Sequence, residues 1–136
     1  MVALQQRIQA SFENKVTTIE PKSDPREAIE DTFLLKIYDR VCQDLSDATL
    51  EIPQLAKELG LSRSQLFRKT KALTGYSPAS FIRKIRVQKG KQFLLSTELS
   101  IAEIAFETGF SSPNYFSDSF YAEYGMRPTE MRYQQN

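Results

Sequence analysis

The residues best suited to a chemical task lie between Leu61 and Gly75, where apolar and polar side chains recur with the period of a helix. An inward-facing set has the spacing i, i+4, i+7, and its members are Leu66, Thr70 and Leu73. The opposite, exposed face is predicted to carry Ser64, Phe67, Arg68 and Lys71. Guanidinium and ammonium groups can donate hydrogen bonds to phosphate oxygens and base edges. We therefore interpret this stretch as a short helix whose exposed face can bind nucleic acid.

A second short helix and a tight turn precede this stretch. Ser62 and Gln65 have the three-residue spacing of a capping box, which predicts that the helix begins here. Residues 52–59 form another predicted helix, and Gly60 supplies the left-handed conformation of a sharp turn. Two helices around such a turn, the second with a basic outer face, indicate a helix-turn-helix unit that binds DNA.

Each exposed side chain of the predicted recognition helix suits a particular contact. Arg68 can donate twice to guanine O6 and N7, Phe67 can pack on a thymine methyl group, and Ser64 can contact a base or a phosphate. Arg63 and Lys71 suit phosphate contacts, which fix the register without carrying sequence information. Two simpler interpretations stay open: a surface ion pair for Arg68 and partial core burial for Phe67.

The distribution of charge supports a nucleic-acid partner, although the net charge is only +1. Residues 60–97 contain nine Lys or Arg residues and no Asp or Glu, and the acidic residues lie before and after them. A solvated surface without a partner usually interleaves both signs. Charge that is sorted in this way indicates a positive face suited to phosphate.

Other classes of function lack the residues that they need. The sequence has no histidine, a single cysteine and no glycine-rich phosphate loop, so we expect no enzyme, no cofactor and no metal site. Glu103 and Glu107 have the i, i+4 spacing of a carboxylate pair, but a solvated helix face explains them better. Cys42 is expected to be a small buried hydrophobic residue.

The sequence shows neither a secretory signal nor a membrane-spanning segment. Its start lacks a cationic region followed by an apolar one, and no stretch approaches about 18 consecutive apolar residues. A single cysteine also fits a reducing compartment. We therefore expect a cytoplasmic, nucleoid-associated protein with no membrane partner.

Helices are also predicted before and after the Leu61–Gly75 stretch. Asp24 and Pro25 open a helix that should end near Leu45. Its buried side is expected to contain Ile29, Phe33, Leu34, Ile37, Val41 and Leu45. Ser77 and Pro78 open a long helix to about Ser96. Three shorter helices should begin after Ser100, Ser112 and Arg127, the first with a second capping box formed by Ser100 and Glu103.

Gly90 lies within the long helix, where a close backbone approach by a neighbouring helix would explain it. No segment alternates with the period of a strand. The predicted fold class is therefore all-α, with about seven helices and two helix-turn-helix subdomains that are joined by a long linker helix.

The chain contains an internal repeat. IPQLAKELGLS from Ile52 matches IAEIAFETGFS from Ile101, and the match pairs the turn glycines Gly60 and Gly109. A second recognition segment is therefore predicted. Its candidate contact residues are Ser112, Asn114, Ser117 and Asp118. Asn114 can pair with adenine, and Asp118 can accept a hydrogen bond from a cytosine amino group.

The two halves together resemble a known family, the DNA-binding domain of AraC/XylS-type transcription regulators. The resemblance rests on GLSRSQLFRKTKALTGYSPASFIRKIRVQKGKQFLLST and SIAEIAFETGFSSPNYFSDSFYAEYGMRPTEMR, and it covers about residues 30–133. It implies a domain of residues 25–136 with units at about 50–76 and 99–126. It also implies that the two recognition helices enter successive major grooves of double-stranded DNA.

A narrower resemblance is to the versions of this domain at the C-terminus of two-component response regulators and hybrid sensor proteins. LQQRIQ near the N-terminus is similar to the end of the last helix of a receiver domain. One departure concerns the second unit, where the family often has a basic residue at Asp118 and lysines at Tyr121 and Ala122. Unequal DNA contact by the two units is therefore expected, with the first unit dominant.

The predicted linker helix has the length needed to connect two binding units on one duplex. Some 20 residues give about 30 Å at 1.5 Å per residue, and one turn of B-DNA is about 34 Å. Arg83, Lys84 and Arg86 of this helix are expected near the intervening phosphate backbone.

The function that these observations predict is a sequence-specific, DNA-binding transcription regulator, the output domain of a signal-responsive protein. The alternative is a helical protein-interaction module whose basic face binds an acidic partner. Titration with duplex DNA separates the two, because a DNA-binding regulator loses affinity steeply with salt and still discriminates between sequences.

Residues 1–24 are predicted to form an amphipathic arm and a linker. Leu4, Ile8, Phe12 and Val16 recur at four-residue steps, which gives one apolar helix face. A helix this short needs a partner in water, and we expect that partner to be an upstream receiver or sensor domain, or a second copy that is bound through residues 1–20.

We predict that deletion of residues 1–20 leaves the melting temperature of the monomer nearly unchanged. The reason is that the apolar face of the arm has no place in a complete seven-helix domain. Thermal unfolding followed by circular dichroism measures the change. A large loss of stability would show that the arm packs on the core of its own domain.

Overall fold

The structure, a computed structural model, describes residues 25–135 and the side chains of residues 32–134. Within this range there are seven helices and no strand, so the predicted all-α fold class is confirmed. The helices are α1 (Pro25–Gln43), α2 (Ile52–Glu58), α3 (Arg63–Thr74), α4 (Pro78–Ser96), α5 (Ile101–Glu107), α6 (Pro113–Tyr124) and α7 (Pro128–Gln135). None of these helices is both long and apolar enough to cross a membrane. The predicted arm and linker of residues 1–24 lie outside the described residues.

The described helices belong to two compact units. The first unit contains α1 up to Cys42 and residues 50–82, and the second contains residues 43–49 and the chain from Arg83 onwards. α2 and α3 form the helix-turn-helix of the first unit, and α5 and α6 form that of the second. α4, with its 19 residues, begins in the first unit and ends in the second.

The first unit buries one face of each of its helices. Its buried apolar side chains are Phe33, Leu34, Ile37, Val41, Leu55, Ala56, Leu66, Leu73, Phe81 and Ile82. Thr70 is also fully buried, so the inward-facing set predicted for α3 is confirmed. Burial of this set leaves the other face of α3 in contact with solvent.

α1 ends at Gln43, two residues before the end that the apolar pattern predicted at Leu45. The chain turns over residues 44–46, and the N–H of Asp47 donates to the Asp44 carbonyl at 2.9 Å. Leu45 is only half-buried. Ile29, another residue predicted on the buried side of α1, lies outside the described side chains.

Both predicted capping boxes are present, and they fix the starts of α3 and α5. The N–H of Gln65 donates to Ser62 Oγ at 3.1 Å, and the N–H of Ser62 donates to Gln65 Oε1 at 2.8 Å. The N–H of Glu103 donates to Ser100 Oγ at 3.1 Å, and the N–H of Ser100 donates to Glu103 Oε1 at 2.9 Å. The backbone N–H of Ser100 also lowers the pKa of the Glu103 carboxyl group, so Glu103 serves to cap a helix.

Aromatic rings form the core of the second unit. Phe110, Phe116 and Phe120 are buried, and successive ring centroids lie 5.3 Å and 5.8 Å apart. Tyr124 continues the series at 4.8 Å from Phe120. The remaining buried members are Val87, Leu94, Ile104 and Ala105. Tilted ring pairs at such distances add to the stabilisation that burial alone provides.

The close backbone approach predicted at Gly90 is not what lies there, because the space beside this residue of α4 is taken by the side chain of Phe116 from α6. A Cβ atom at this position would lie 2.5 Å from Phe116 Cε1 and 2.8 Å from Cζ. Glycine in a helix interior costs about 1 kcal/mol relative to alanine. The Phe116 ring fills the space that the missing side chain of Gly90 leaves.

The two helix-turn-helix glycines have the same backbone conformation but different surroundings. Gly60 has φ +73° and Gly109 has φ +82°, both in the left-handed region. A Cβ atom at Gly60 would meet nothing within 4 Å. At Gly109 it would overlap the Arg86 guanidinium and lie 2.5 Å from the Leu45 carbonyl oxygen.

We predict that Gly109→Ala destabilises the protein more than Gly60→Ala. Both variants place an L residue at positive φ, which costs about 1–2 kcal/mol. Only at Gly109 does the new methyl group also displace a buried side chain and a carbonyl group. The free energy of unfolding, measured with urea for the two variants in parallel, should fall further for Gly109→Ala. Equal losses would mean that Arg86 moves aside freely.

Candidate nucleic-acid interface

The exposed face of α3 carries five of the predicted site residues, namely Arg63, Ser64, Phe67, Arg68 and Lys71. The Phe67 side chain is 48% exposed, so it is not a core residue. Within the described part of the chain, none of the three cations on this face has a hydrogen-bond or ion-pair partner. The surface ion pair considered for Arg68 therefore has no support there. These cations are available to an external anion.

Phe67 lies in an open depression of the first unit. The depression has a volume of about 540 Å³ and is lined by Ile52, Arg63, Ser64, Phe67, Ser77, Pro78 and Ala79. Its lining combines an aromatic ring and aliphatic carbons with one guanidinium and two hydroxyl groups. Such a surface can accept a methyl group next to an anionic group, as a thymine and its phosphate would present them.

Lys69, although it belongs to α3, does not share this face. Its Nζ lies 4.7 Å from the centroid of the Phe33 ring, and the residue is half-buried. A cation over an aromatic face is stabilised by the ring quadrupole. Lys69 therefore contributes to packing between α3 and α1, and the exposed charge of α3 comes from Arg63, Arg68 and Lys71.

The exposed face of α6 differs in chemistry from that of α3. Asn114 and Asp118 are exposed and lie four residues apart on one face, whereas Ser117 is half-buried. Ser112 is the N-cap of α6, and its Oγ accepts a hydrogen bond from the N–H of Tyr115 at 3.1 Å. Three of the four predicted contact residues of this unit therefore lie on α6, and the fourth begins it.

Arg127 lies beside this face, although it is not among the residues predicted to contact DNA. Its Nη1 donates to Asp118 Oδ1 at 2.7 Å and to Ser117 Oγ at 3.4 Å. Its guanidinium carbon lies 4.7 Å from the centroid of the Tyr121 ring. Arg127 follows the glycine that ends α6 and belongs to no recognition-helix pattern, so its position depends on how the chain folds back after the helix.

The basic residues of α4 are engaged within the protein. Lys84 Nζ donates to Glu123 Oε2 at 2.5 Å. Arg83 is half-buried and also interacts with other groups of the protein. Lys91 Nζ lies 4.8 Å from the centroid of the Tyr124 ring. Much of the positive charge predicted along this helix therefore stabilises the second unit.

Arg86 is buried, which corrects the surface position expected for it beside a phosphate backbone. Only 6% of its surface is exposed. Its Nη1 donates to the carbonyl oxygens of Leu45 at 2.5 Å and Thr108 at 3.0 Å, and its Nη2 donates to the Asp47 carbonyl at 3.0 Å. These bonds tie residues 43–49 to the turn between α5 and α6. A charge pattern in the sequence cannot distinguish such an arginine from an exposed one.

The fold and the exposed basic face define a helix-turn-helix protein. The family model described as "Helix-turn-helix domain" matches residues 55–134. A crystal structure of an AraC-type transcriptional regulator from Chromobacterium violaceum is similar, with a TM-score of 0.72, 28% identity, and coverage of 79% of this chain and 96% of that one. The chain belongs to the AraC-type family of helix-turn-helix domains.

Two further solved structures are similar to this chain. One is the C-terminal domain of AraT, a response regulator from Geobacillus stearothermophilus, with a TM-score of 0.67, 32% identity, and coverage of 74% of this chain and 84% of that one. The other is the DNA-binding domain of AdpA in complex with a target DNA, with a TM-score of 0.68, 25% identity, and coverage of 74% and 90%.

The curated relatives are much longer than this chain. "Histidine kinase P4" of Formosa agariphila is 32% identical over 124 residues, which are 91% of this chain and 9% of that protein. The regulator MtrA of Neisseria gonorrhoeae is 36% identical over 81 residues, 60% of this chain and 27% of that protein. The chain thus spans about a tenth to a quarter of the length of these relatives.

We predict that Arg86→Gln lowers stability strongly, whereas Arg68→Gln does not. Glutamine cannot reach all three carbonyl groups that Arg86 contacts, and a buried acceptor without a donor costs about 1–3 kcal/mol. Substitution of an exposed side chain without a partner usually stays within about 0.5 kcal/mol. Urea unfolding of both variants measures the difference. A mild effect of Arg86→Gln would indicate that water replaces the guanidinium.

Proposed function

We propose that this chain is the DNA-binding module of a transcription regulator and that it binds double-stranded DNA through α3 and α6. The observation that carries the proposal is the exposed face of α3. It presents three cations without partners among the described residues, on the second helix of a helix-turn-helix unit of the AraC-type family. The AdpA domain, similar in fold and 25% identical, is a DNA-binding domain that was solved with its target.

The side chains of α3 divide between sequence recognition and positioning. Arg68 is proposed to donate both arms of its guanidinium to guanine O6 and N7, and Phe67 to pack against a thymine methyl group. Arg63 and Lys71 are proposed to bind phosphates, which position the helix in the major groove. Ser64 lies between these groups and is proposed to bind either a base or a phosphate.

The two units are proposed to contribute unequally. α3 exposes Arg63, Arg68 and Lys71, whereas α6 contains Asp118 and Glu123 and no basic residue. Asn114 can still recognise adenine, and Asp118 can accept from cytosine, but both contacts lack the attraction between cation and phosphate. We therefore propose that the first unit supplies most of the affinity and that the second adds sequence preference.

We propose further that the module is the output domain of a signalling protein. The match to "Histidine kinase P4" covers 124 residues, whereas residues 25–136 number only 112, so the match extends into the N-terminal segment. The AraT domain, 32% identical, comes from a response regulator. Both relationships support an upstream receiver or sensor domain as the partner of residues 1–20. A DNA-binding role implies a nucleoid location in the cytoplasm.

Selection of bound duplexes from a random pool tests the proposed function directly. The expected result is enrichment of a common sequence whose affinity falls steeply as salt increases, since each phosphate contact releases counterions. A protein-interaction module with a basic face would bind DNA weakly and without sequence preference. That outcome would reject the DNA-binding role.

We predict that Arg68→Ala and Lys71→Ala affect binding in different ways. Loss of a bidentate base contact should cost about 1–3 kcal/mol at the preferred sequence and relax specificity at one base pair. Loss of a phosphate contact should weaken binding to all sequences about equally and reduce the salt dependence. Fluorescence anisotropy with the selected duplex and its single-base variants measures both effects. Identical behaviour of the two variants would contradict the division of roles.

A further inference from the structure

We propose that Arg127 supplies the phosphate-binding cation of the second unit and that Asp118 holds this cation beside α6 until DNA displaces the pair. The inference deepens the proposed function and rests on it. It concerns the site that α6 leaves incomplete, because α6 has the acceptors for base recognition but no cation of its own.

The geometry places the Arg127 guanidinium next to the residues proposed to contact bases. Asn114, Asp118 and Tyr121 lie at i, i+4 and i+7, which puts them on one face of α6. Arg127 donates to Asp118 at 2.7 Å and lies over the Tyr121 ring at 4.7 Å. The cation therefore lies at the edge of the same face, although it comes from the residue before α7.

Three other basic residues near α6 have partners within the protein. Lys84 pairs with Glu123, and Lys91 lies over the Tyr124 ring. Arg132 donates to the carbonyl groups of Leu94, Thr97 and Leu99, where it caps the C-terminal end of α4. Arg127 differs from these residues because its side-chain partners lie on the exposed surface of α6.

The ion pair is exposed to water, and a phosphate can therefore replace the carboxylate. The Arg127 side chain is 44% exposed and that of Asp118 is 72% exposed, so water screens their attraction. Only one arm of the guanidinium donates to Asp118 in this structure. A phosphate offers several acceptor oxygens and a guanidinium fork binds it in two places. The Tyr121 ring supports the guanidinium plane while the partner is exchanged.

The pair also gives Asp118 a positioning role that differs from direct base contact. Its carboxylate keeps Arg127 at the edge of the recognition face, and it competes with phosphate for the same donor. Such competition weakens binding to DNA sequences at which the second unit makes no favourable base contact. Asp118 thereby raises the dependence of binding on the correct half-site.

The test uses the full chain, the duplex selected by the wild-type protein, and the variants Arg127→Ala and Arg127→Lys. Lys36→Ala is the matched control, because it removes one exposed positive charge from α1, outside both recognition helices. We expect Arg127→Ala to reduce the slope of log Kd against log salt by about 0.9, the value for one phosphate on B-DNA. Footprint protection should weaken over one half of the site, while Arg127→Lys should keep most of the slope.

Asp118→Asn tests the proposed competition, since it keeps the shape of the side chain and removes its charge. We expect it to tighten binding several-fold at unselected sequences. The gain should be clearly smaller when Arg127→Ala is also present. An equal gain in both backgrounds would mean that Asp118 repels DNA directly and would overturn its role in holding Arg127.

The outcomes separate this inference from the proposed function. If the wild-type chain binds no duplex, both fail. If it binds a selected duplex and Arg127→Ala behaves like Lys36→Ala, the assignment of Arg127 is wrong and the proposed function stands. Melting temperatures of all variants, which should stay close to the wild-type value, show that any loss of binding does not come from unfolding.

Discussion

The turn between the two helices of each helix-turn-helix unit is the constraint on which the other features depend. The N–H of Leu61 donates to the Ala56 carbonyl at 2.9 Å, and the N–H of Phe110 donates to the Ala105 carbonyl at the same distance. Each bond spans five residues and encloses a glycine with positive φ, as in a Schellman motif. This turn sets the direction of the following helix and so decides which of its faces is buried.

The two units share this turn but stabilise it differently. In the second unit the guanidinium of Arg86 occupies the space beside Gly109 and joins the turn to residues 43–49. In the first unit the space beside Gly60 is open. A repeated backbone motif can thus keep its geometry while the contacts that support it change.

Local signals in the sequence were sufficient for most of the fold. The capping boxes at Ser62 and Ser100 depend on residues three apart, and both formed where they were predicted. Gly90 indicated a close neighbour of the long helix, but that neighbour is the Phe116 ring and not the helix backbone that was predicted. The end of α1 was predicted two residues late, because the apolar pattern continued past the helix. The positions of Arg86 and Arg127 were not predictable, since their partners lie 22–41 and 9–10 residues away and follow no periodicity.

The basic residues show that a count of charges in the sequence can indicate a function without identifying the residues that perform it. Residues 60–97 contain nine cations and no acidic residue, yet the fold uses several of them. Arg86 is buried against carbonyl groups, Lys84 pairs with a glutamate, and Lys69 and Lys91 lie over aromatic rings. The cations of α3 that remain exposed without partners among the described residues are Arg63, Arg68 and Lys71.

In the second unit, too, the charge in the helix sequence differs from the charge at its exposed face, but here the surface has the additional cation. α6, its proposed recognition helix, has no basic residue, so composition alone assigns it no attraction for phosphate. The fold then brings Arg127 back from beyond the helix to the edge of the exposed face. A lysine on α6 would attract any phosphate without regard to sequence. An arginine that is already paired with a carboxylate binds phosphate only when the gain exceeds the loss of that pair, and this condition links non-specific attraction to the recognition of bases.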